Sequence, residues 1–250
     1  MQITRFERGL HERVAIVTGA AIGNGRAFCE RLAEEGAKLV IADLEEAVET
    51  EQAVLALGGE VVSVRADMTD PADVDRVVQA ALDRFGRIDI LVHNVGHYSE
   101  EPFELLSYTE WKRTLDVTLD SIFHTVRAVL PHMKRAGFGR IITFSSDTVW
   151  LGTPYLTHYV TAKMGVIGFT RSLASEVGKY GITVNTITVG LTATQNASRS
   201  SVMSPLLEHI LPAQAVHRAD EPEDIANVVA FLALPASGII TGQTINVDGG

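Results

Sequence analysis

Seven short runs of continuous apolar, mostly β-branched residues are spaced along this chain: VAIVT (14–18), KLVIAD (38–43), EVVSVRA (60–66), IDILVHN (88–94), RIITFSS (140–146), ITVNTITV (182–189) and TINV (244–247). A strand with one wet face alternates apolar and polar residues, whereas a strand covered on both faces does not. Longer segments of helical pattern separate the runs, and parallel strands need such crossovers. Crossovers of this kind are right-handed, which leaves few topologies. The pattern predicts an α/β fold: a doubly wound, Rossmann-type parallel sheet of seven strands with helices on both faces.

The predicted helices cover 24–35, 45–57, 71–85, 108–136, 157–180 and 222–233. Their ends carry stop and start signals. Asp70-Pro71 reads as an N-cap followed by proline in the first turn, and Gly36, Gly58, Gly86, Gly137 and Gly181 follow helix ends. No repeat or linker interrupts the 250 residues, so one domain spanning 1–250 is expected. The stretch 191–221 lacks a clear period and is expected to be a substrate loop.

Composition narrows the function. The net charge of −10 disfavours a nucleic-acid partner. Nowhere do about 18 apolar residues run together, so no membrane span is expected. One cysteine, Cys29, excludes an internal disulfide and a cysteine metal cluster, and suits a reducing cytoplasm. His93 and His97 stand four apart at a strand end, with no third ligand evident, so no metal is expected.

The first strand runs into Thr18-Gly19-Ala20-Ala21-Ile22-Gly23-Asn24-Gly25 and then a helix. Glycines there allow a tight turn and let backbone N–H groups approach a pyrophosphate at a helix N-terminus. Asp43 ends the second strand, where a carboxylate can accept hydrogen bonds from a ribose diol. Glu45 and Glu46 follow it with no Arg or Lys, so NAD is expected over NADP. Tyr159 and Lys163 lie four apart on one helix face, and an ammonium beside a phenol lowers its pKa. Tyr108 and Lys112 repeat the spacing. Ser146 precedes Tyr159 by 13 residues at a strand's carboxyl end, but Val95 holds the equivalent place before Tyr108, so Tyr108 reads as a surface or packing residue.

Thr18–Gly25, Asp43, Asp67, His93-Asn94-Val95-Gly96, Ser146, Tyr159, Lys163, Val189-Gly190 and Val247-Asp248-Gly249-Gly250 stand in the order and spacing of the short-chain dehydrogenase/reductase family, which the whole chain resembles. The resemblance implies an NAD-dependent oxidoreductase acting on a secondary alcohol or ketone. It implies that Tyr159 is the acid/base, that Lys163 lowers its pKa and holds the nicotinamide ribose, and that Ser146 orients the substrate oxygen. For the cofactor it implies contacts from Gly19, Gly23, Asn24 and Gly25, from Asp43, Asp67, Asn94 and Gly96, and from Thr192 and Thr194. It also implies a homo-oligomer, a tetramer built on helices 108–136 and 157–180, which carry surplus apolar residues such as Phe123 and Leu173.

The chain departs from the family pattern at Thr118, where a proton-relay Asn is usual, at His93 and Val95, at Val189, and at Asn24. Thr118 is the expected substitute in the relay. A cofactor-binding sensor without turnover is the rival reading, and intact Ser146, Tyr159 and Lys163 oppose it. Val149, Trp150, Leu151, Tyr155 and Leu156, with Tyr98 and an apolar patch over 203–211, are expected to wall a pocket for a hydrophobic or aryl substrate. Within the family, Trp150-Leu151 and Thr157-His158-Tyr159 are similar to the 1-phenylethanol dehydrogenase branch. Gly165–Arg171 is similar to the pyridoxal 4-dehydrogenase branch, and the 3-oxoacyl-carrier-protein reductases share the frame. The residues do not choose among these.

Overall fold

A computed structural model describes residues 9–192, 211–212 and 214–250. Its centre is a seven-stranded, wholly parallel sheet in the order β3-β2-β1-β4-β5-β6-β7. The strands are β1 (Val14–Thr18), β2 (Lys38–Asp43), β3 (Val61–Arg65), β4 (Ile90–His93), β5 (Gly139–Ser146), β6 (Ile182–Val189) and β7 (Thr244–Val247). The chain order reverses between β1 and β4, and the crevice outside the carboxyl ends there is where an open α/β sheet binds ligands.

The continuous apolar runs have the expected cause. In β1, Ala15 and Val17 join one buried cluster, while Val14 and Ile16 join the other. The first cluster takes Phe28 and Leu32 of α1 (Gly23–Glu34) and Ile225, Val229 and Leu232 of α8 (Pro222–Ala233). Phe28 stacks on Phe144 of β5 with ring centres 4.9 Å apart. The second cluster takes Val74 and Val77 of α3 (Pro71–Phe85), Ile122, Val126 and Val129 of α5 (Ser121–Ala136) and Val166 of α7 (Thr157–Val177).

Most boundaries fall within a residue or two of expectation. In α3 the Asp70 carboxylate accepts from the Ala72 N–H at 2.9 Å, Pro71 opens the first turn, and Gly86 closes the helix at φ +75. Three helices differ. The helix expected over 45–57 is α2 (Val48–Ala56), because Glu45's N–H turns back to the Asp43 carboxylate. The helix expected over 157–180 leaves α geometry after Val177 and ends in a 3₁₀ turn, Gly178–Tyr180. The helix expected over 108–136 is divided into α4 (Tyr108–Leu115) and α5 by a π-turn, Asp116–Asp120. A one-turn helix, α6 (Thr148–Leu151), follows β5.

The apolar surplus on α5 and α7 is smaller than expected. Ile122, Val126, Val129, Val166 and Ile167 are buried within the chain, while Phe123 and Met164 stay exposed. No helix among the described residues is long and apolar enough to cross a membrane.

Candidate active site

The turn after β1 is built so that only glycine fits at its centre. Gly19 and Gly23 have φ of +63 and +59, the left-handed region that L side chains avoid. A Cβ on Gly25 would collide with the Gly19 carbonyl and lie 2.8 Å from the Ala20 Cα, so α1 starts in close contact with the turn. Three side chains hold the turn from outside. Thr50 Oγ1 lies 2.9 Å from the carbonyls of Ala20 and Ala21. The Asn94 amide donates to the Gly19 carbonyl at 2.8 Å. The Asp43 carboxylate accepts the Ala21 N–H at 2.8 Å. Asp43 therefore does not cap the next helix, which begins five residues later at Val48 with Ala47 as its N-cap.

A cleft of about 1240 Å³ opens over this turn. It is walled by Gly19, Gly23, Asn24, Asp43, Leu44, Asp67, Met68, Thr69, Asn94 and Gly96, and by α4 residues on the far side. Seven of the expected cofactor contacts are thereby brought to one cavity. Gly25 supports it from beneath, and Asp67 is held by accepting from both the N–H and the hydroxyl of Thr69 at 2.8 Å. Thr192 is buried and pairs with Asp220, at the edge beyond β6. Thr194, Met203, Leu206, Leu207 and Ile210 lie outside the described residues, and so does most of the expected substrate loop.

Ser146, Tyr159 and Lys163 come together at the carboxyl end of β5. The Ser146 side chain hydrogen-bonds the Tyr159 phenol. Ser146 Oγ also accepts from the Thr148 hydroxyl at 2.9 Å and donates to Asp147 at 3.2 Å. Lys163 is only 6% exposed, its Nζ donates to the Phe144 carbonyl at 2.8 Å, and it sits 5.5 Å from the centre of the Tyr159 ring. A Cβ on Gly96 would lie 3.6 Å from that Nζ, so glycine keeps this side of the ammonium uncovered.

Burial pushes the Tyr159 phenol above its ordinary value, and the nearby Tyr98 and Asp147 push the same way; the Ser146 hydrogen bond opposes them. Lys163 Nζ gives one N–H to the Phe144 carbonyl, and burial pushes its own pKa down to about 8.

Thr118 is buried in the π-turn, and its hydroxyl is committed. It accepts the His97 N–H at 3.0 Å and donates its one hydrogen to the His97 carbonyl at 3.1 Å. The structure thus gives Thr118 a positioning contact on the loop after β4, with no hydrogen left for a bound water. His93 and His97 part company: His93 Nε2 meets Ser121 Oγ at 3.0 Å and His97 Nε2 meets Glu110 at 2.7 Å. His158 is fully buried against Ser99, and Tyr108 is largely exposed. Of the expected pocket walls, Tyr98 lies 5.5 Å ring to ring from Tyr159. Leu156 is buried in the fold, while Trp150, Leu151 and Tyr155 are exposed. Sequence reasoning missed Asp147, Thr50 and Thr69; only the place of Asp147, directly after Ser146, offered a signal.

A family model described as enoyl-(acyl carrier protein) reductase matches residues 19–250. The short-chain reductase protein NovJ of Streptomyces niveus is 40% identical over 250 residues, covering 96% of this chain and 94% of its own length. The chain belongs to the short-chain dehydrogenase/reductase family. This short-chain dehydrogenase/reductase is therefore an oxidoreductase that uses a nicotinamide cofactor. It is also 40% identical to the (2S)-[(R)-hydroxy(phenyl)methyl]succinyl-CoA dehydrogenase subunit BbsD of Thauera aromatica, over 97% of both chains. Among solved structures, a putative 2-deoxy-D-gluconate 3-dehydrogenase from Agrobacterium tumefaciens with bound NADP superposes with a TM-score of 0.90. It shares 31% identity and covers 98% of each chain. The residues present fit a dinucleotide: the turn leaves no room for a Cβ at Gly25, and the Asn24 side-chain oxygen is buried in the cleft wall without a partner.

Proposed function

We propose that this oxidoreductase interconverts a secondary alcohol and a ketone, hydrophobic or aryl in character, with NAD(H). The observation that carries the reading is the meeting of Ser146, Tyr159 and Lys163 beside the glycine-turn cleft, at the sheet's carboxyl edge. The bound cofactor supplies the hydride chemistry, and the chain's residues supply orientation and the proton.

Gly19, Gly23, Asn24 and Gly25 would hold the pyrophosphate, Asp43 the adenosine ribose, Asp67 the adenine, and Asn94 the adenosine side, with Gly96 beside it. Thr194 would meet the carboxamide or a phosphate, and Thr192 would reach the cofactor by hydrogen bonds. Lys163 would bind the nicotinamide ribose through the N–H groups not used by Phe144. Ser146 orients the substrate oxygen. Tyr159, whose phenol burial pushes up, delivers its proton to the oxygen as the ketone is reduced. Alcohol oxidation runs the same path backward.

NAD is favoured because the ribose end of the cleft presents Asp43, Leu44 and Glu49. Arg26 in the cleft wall is taken by Glu30 and Glu49 at 2.8 and 2.9 Å, and Arg65 donates to the Leu44 carbonyl at 2.8 Å. The aromatic pair Tyr98–Tyr159 beside the reacting group, and the phenyl-bearing carbinol named for the Thauera relative, support an apolar or aryl substrate. A homotetramer resting on the exposed Phe123 and Met164 faces completes the reading, with the whole chain acting as one Rossmann-type unit. Turnover of a panel of aryl, alicyclic and small polar ketones with NADH and NADPH tests it. Aryl ketones with NADH are expected to lead, and a preference for small polar ketones would overturn the substrate assignment. Light scattering that shows a strict monomer would overturn the assembly.

A further inference from the structure

Tyr98 lies on the loop after β4 with 38% of the residue uncovered, and its ring stands 5.5 Å from the Tyr159 ring at a tilt of 55°. A loop side chain keeps one place beside a reacting group only where its neighbours are held. The residues on either side of Tyr98 are held, and by the same carboxylate. His97 Nε2 lies 2.7 Å from Glu110 Oε1. The Ser99 side chain also hydrogen-bonds the Glu110 carboxyl, and its Oγ lies 3.2 Å from Nε2 of the fully buried His158. Thr118 fixes the His97 backbone, through its N–H at 3.0 Å and its carbonyl at 3.1 Å. The loop is tied again where the Glu101 N–H donates to the Tyr155 carbonyl at 3.1 Å.

The hydrogens of this network have one arrangement. Burial pushes the Glu110 carboxyl up, but the hydrogen bonds from His97 and Ser99 outweigh it and hold the group below the usual carboxylate range. An ionised carboxylate only accepts, so His97 Nε2 carries a hydrogen. Ser99 spends its single hydrogen on Glu110, so its oxygen accepts the hydrogen of His158 Nε2. His158 precedes Tyr159 on α7, and Glu110 sits in the first turn of α4, where its N–H donates to the Ser107 cap at 3.1 Å. One acid on α4 therefore holds the loop at two points and reaches α7 through Ser99. Hydrogen bonds to a charged acceptor are about twice as strong as neutral ones. With the acid removed, the His97 and Ser99 donors lose their acceptor in a partly buried place and must shift to reach water. Tyr98, one residue from each, moves with them.

We infer that Tyr98 is the specificity-determining face of the substrate position and that Glu110 is the residue that positions it. Tyr98 offers a flat apolar face beside the phenol that hands over the proton, and a substrate ring gains by lying offset or edge-on against such a face. A small aliphatic ketone has no ring to place there, so Glu110 sorts substrates without touching them. The inference rests on the aryl-ketone reading above.

The test measures kcat/KM with NADH for acetophenone and for acetone, each variant first checked for NADH binding by fluorescence. The acetophenone-to-acetone ratio is expected to fall by roughly tenfold in Tyr98→Leu, the scale of one aromatic pair. In Glu110→Ala it should fall by at least about threefold, and Glu110→Gln, which keeps an acceptor oxygen for His97, should recover most of the loss. Ser99→Ala, which removes only a hydroxyl, should lower the ratio in the same direction. A second arm needs no turnover: fluorine NMR of protein carrying 3-fluorotyrosine. The Tyr98 resonance, identified by its loss in Tyr98→Leu, should shift toward the unfolded-chain position in Glu110→Ala and return in Glu110→Gln. A ratio in Glu110→Ala equal to that of the wild type, with both ketones falling together, or an unmoved Tyr98 resonance, would overturn the inference. If the wild type reduces neither ketone, the functional reading fails, and the fluorine arm alone upholds or overturns the positioning of Tyr98 by Glu110.

Discussion

Gly25→Ala should cost this enzyme its cofactor before it costs the fold. The added methyl would lie 2.8 Å from the Ala20 Cα and collide with the Gly19 carbonyl. Carbon atoms rest at about 3.5–4.0 Å, so the turn and the start of α1 must separate by roughly 1 Å. They cannot separate freely, because Thr50, Asn94 and Asp43 hold the turn and α1 is packed through Phe28 and Leu32. Overpacking of this kind costs about 1–3 kcal/mol. Where the shift falls on the N–H groups that face the cofactor, that is roughly a 5- to 150-fold rise in the NADH dissociation constant. Gly178→Ala is the control: it follows the last turn of α7 at helical φ and ψ, with nothing within 4 Å of the new methyl. It should stabilise by about 0.5–1 kcal/mol through helix propensity and leave NADH binding unchanged. NADH fluorescence titration and thermal melts of both variants decide it. Gly25→Ala binding NADH within twofold of wild type would refute the account of the turn.

Three further outcomes are expected. Tyr159→Phe should lower turnover by at least about a hundredfold with NADH affinity nearly unchanged, while Tyr108→Phe has little effect; steady-state kinetics on both would expose a wrong assignment if the effects exchanged. The acidic ribose end should favour NAD(H) over NADP(H) by at least about tenfold in kcat/KM, near 1.4 kcal/mol, and Asp43→Ala should shrink that ratio. His93, buried beside the Lys163 charge, is pushed down to about 3. The unfolded chain therefore binds a proton there that the folded chain refuses, and stability should decline as pH falls below about 6.5 toward 3, by about 1.4 kcal/mol per unit from this group. Chemical denaturation at pH 7 and 5 should show a shallower decline in His93→Asn; equal declines would assign the loss elsewhere.

The sheet was legible because its strands are covered on both faces. Val14–Thr18 must satisfy two buried clusters at once, and a continuous apolar run is the only way to do so. Ser146, Tyr159 and Lys163 were legible because their spacing places them on a strand end and one helix face. What escaped has physical reasons too. The π-turn depends on Thr118 bonding the His97 backbone and Ser121 bonding the Val117 carbonyl, contacts that no local pattern announces. The upward push on the Tyr159 phenol comes from its burial, which an i, i+4 spacing does not tell. Asp147 reads as an ordinary turn residue until the Ser146 hydroxyl is found donating to it at 3.2 Å.

The π-turn between α4 and α5 holds one residue more than an ordinary helical turn would. Because that extra residue is absorbed within the turn, loss of a single codon from 116 to 120 would relax it into regular helix and leave Ile122, Val126, Val129 and Met133 facing the sheet. What would go is the bulge itself, with the Thr118–His97 and Ser121–Val117 contacts it carries. An insertion in the turn at Gly58, where nothing lies within 4 Å, lengthens a surface bend and no more. Between Leu115 and Ser121 the chain uses one residue to reach the loop after β4 and none of it to lengthen the helix.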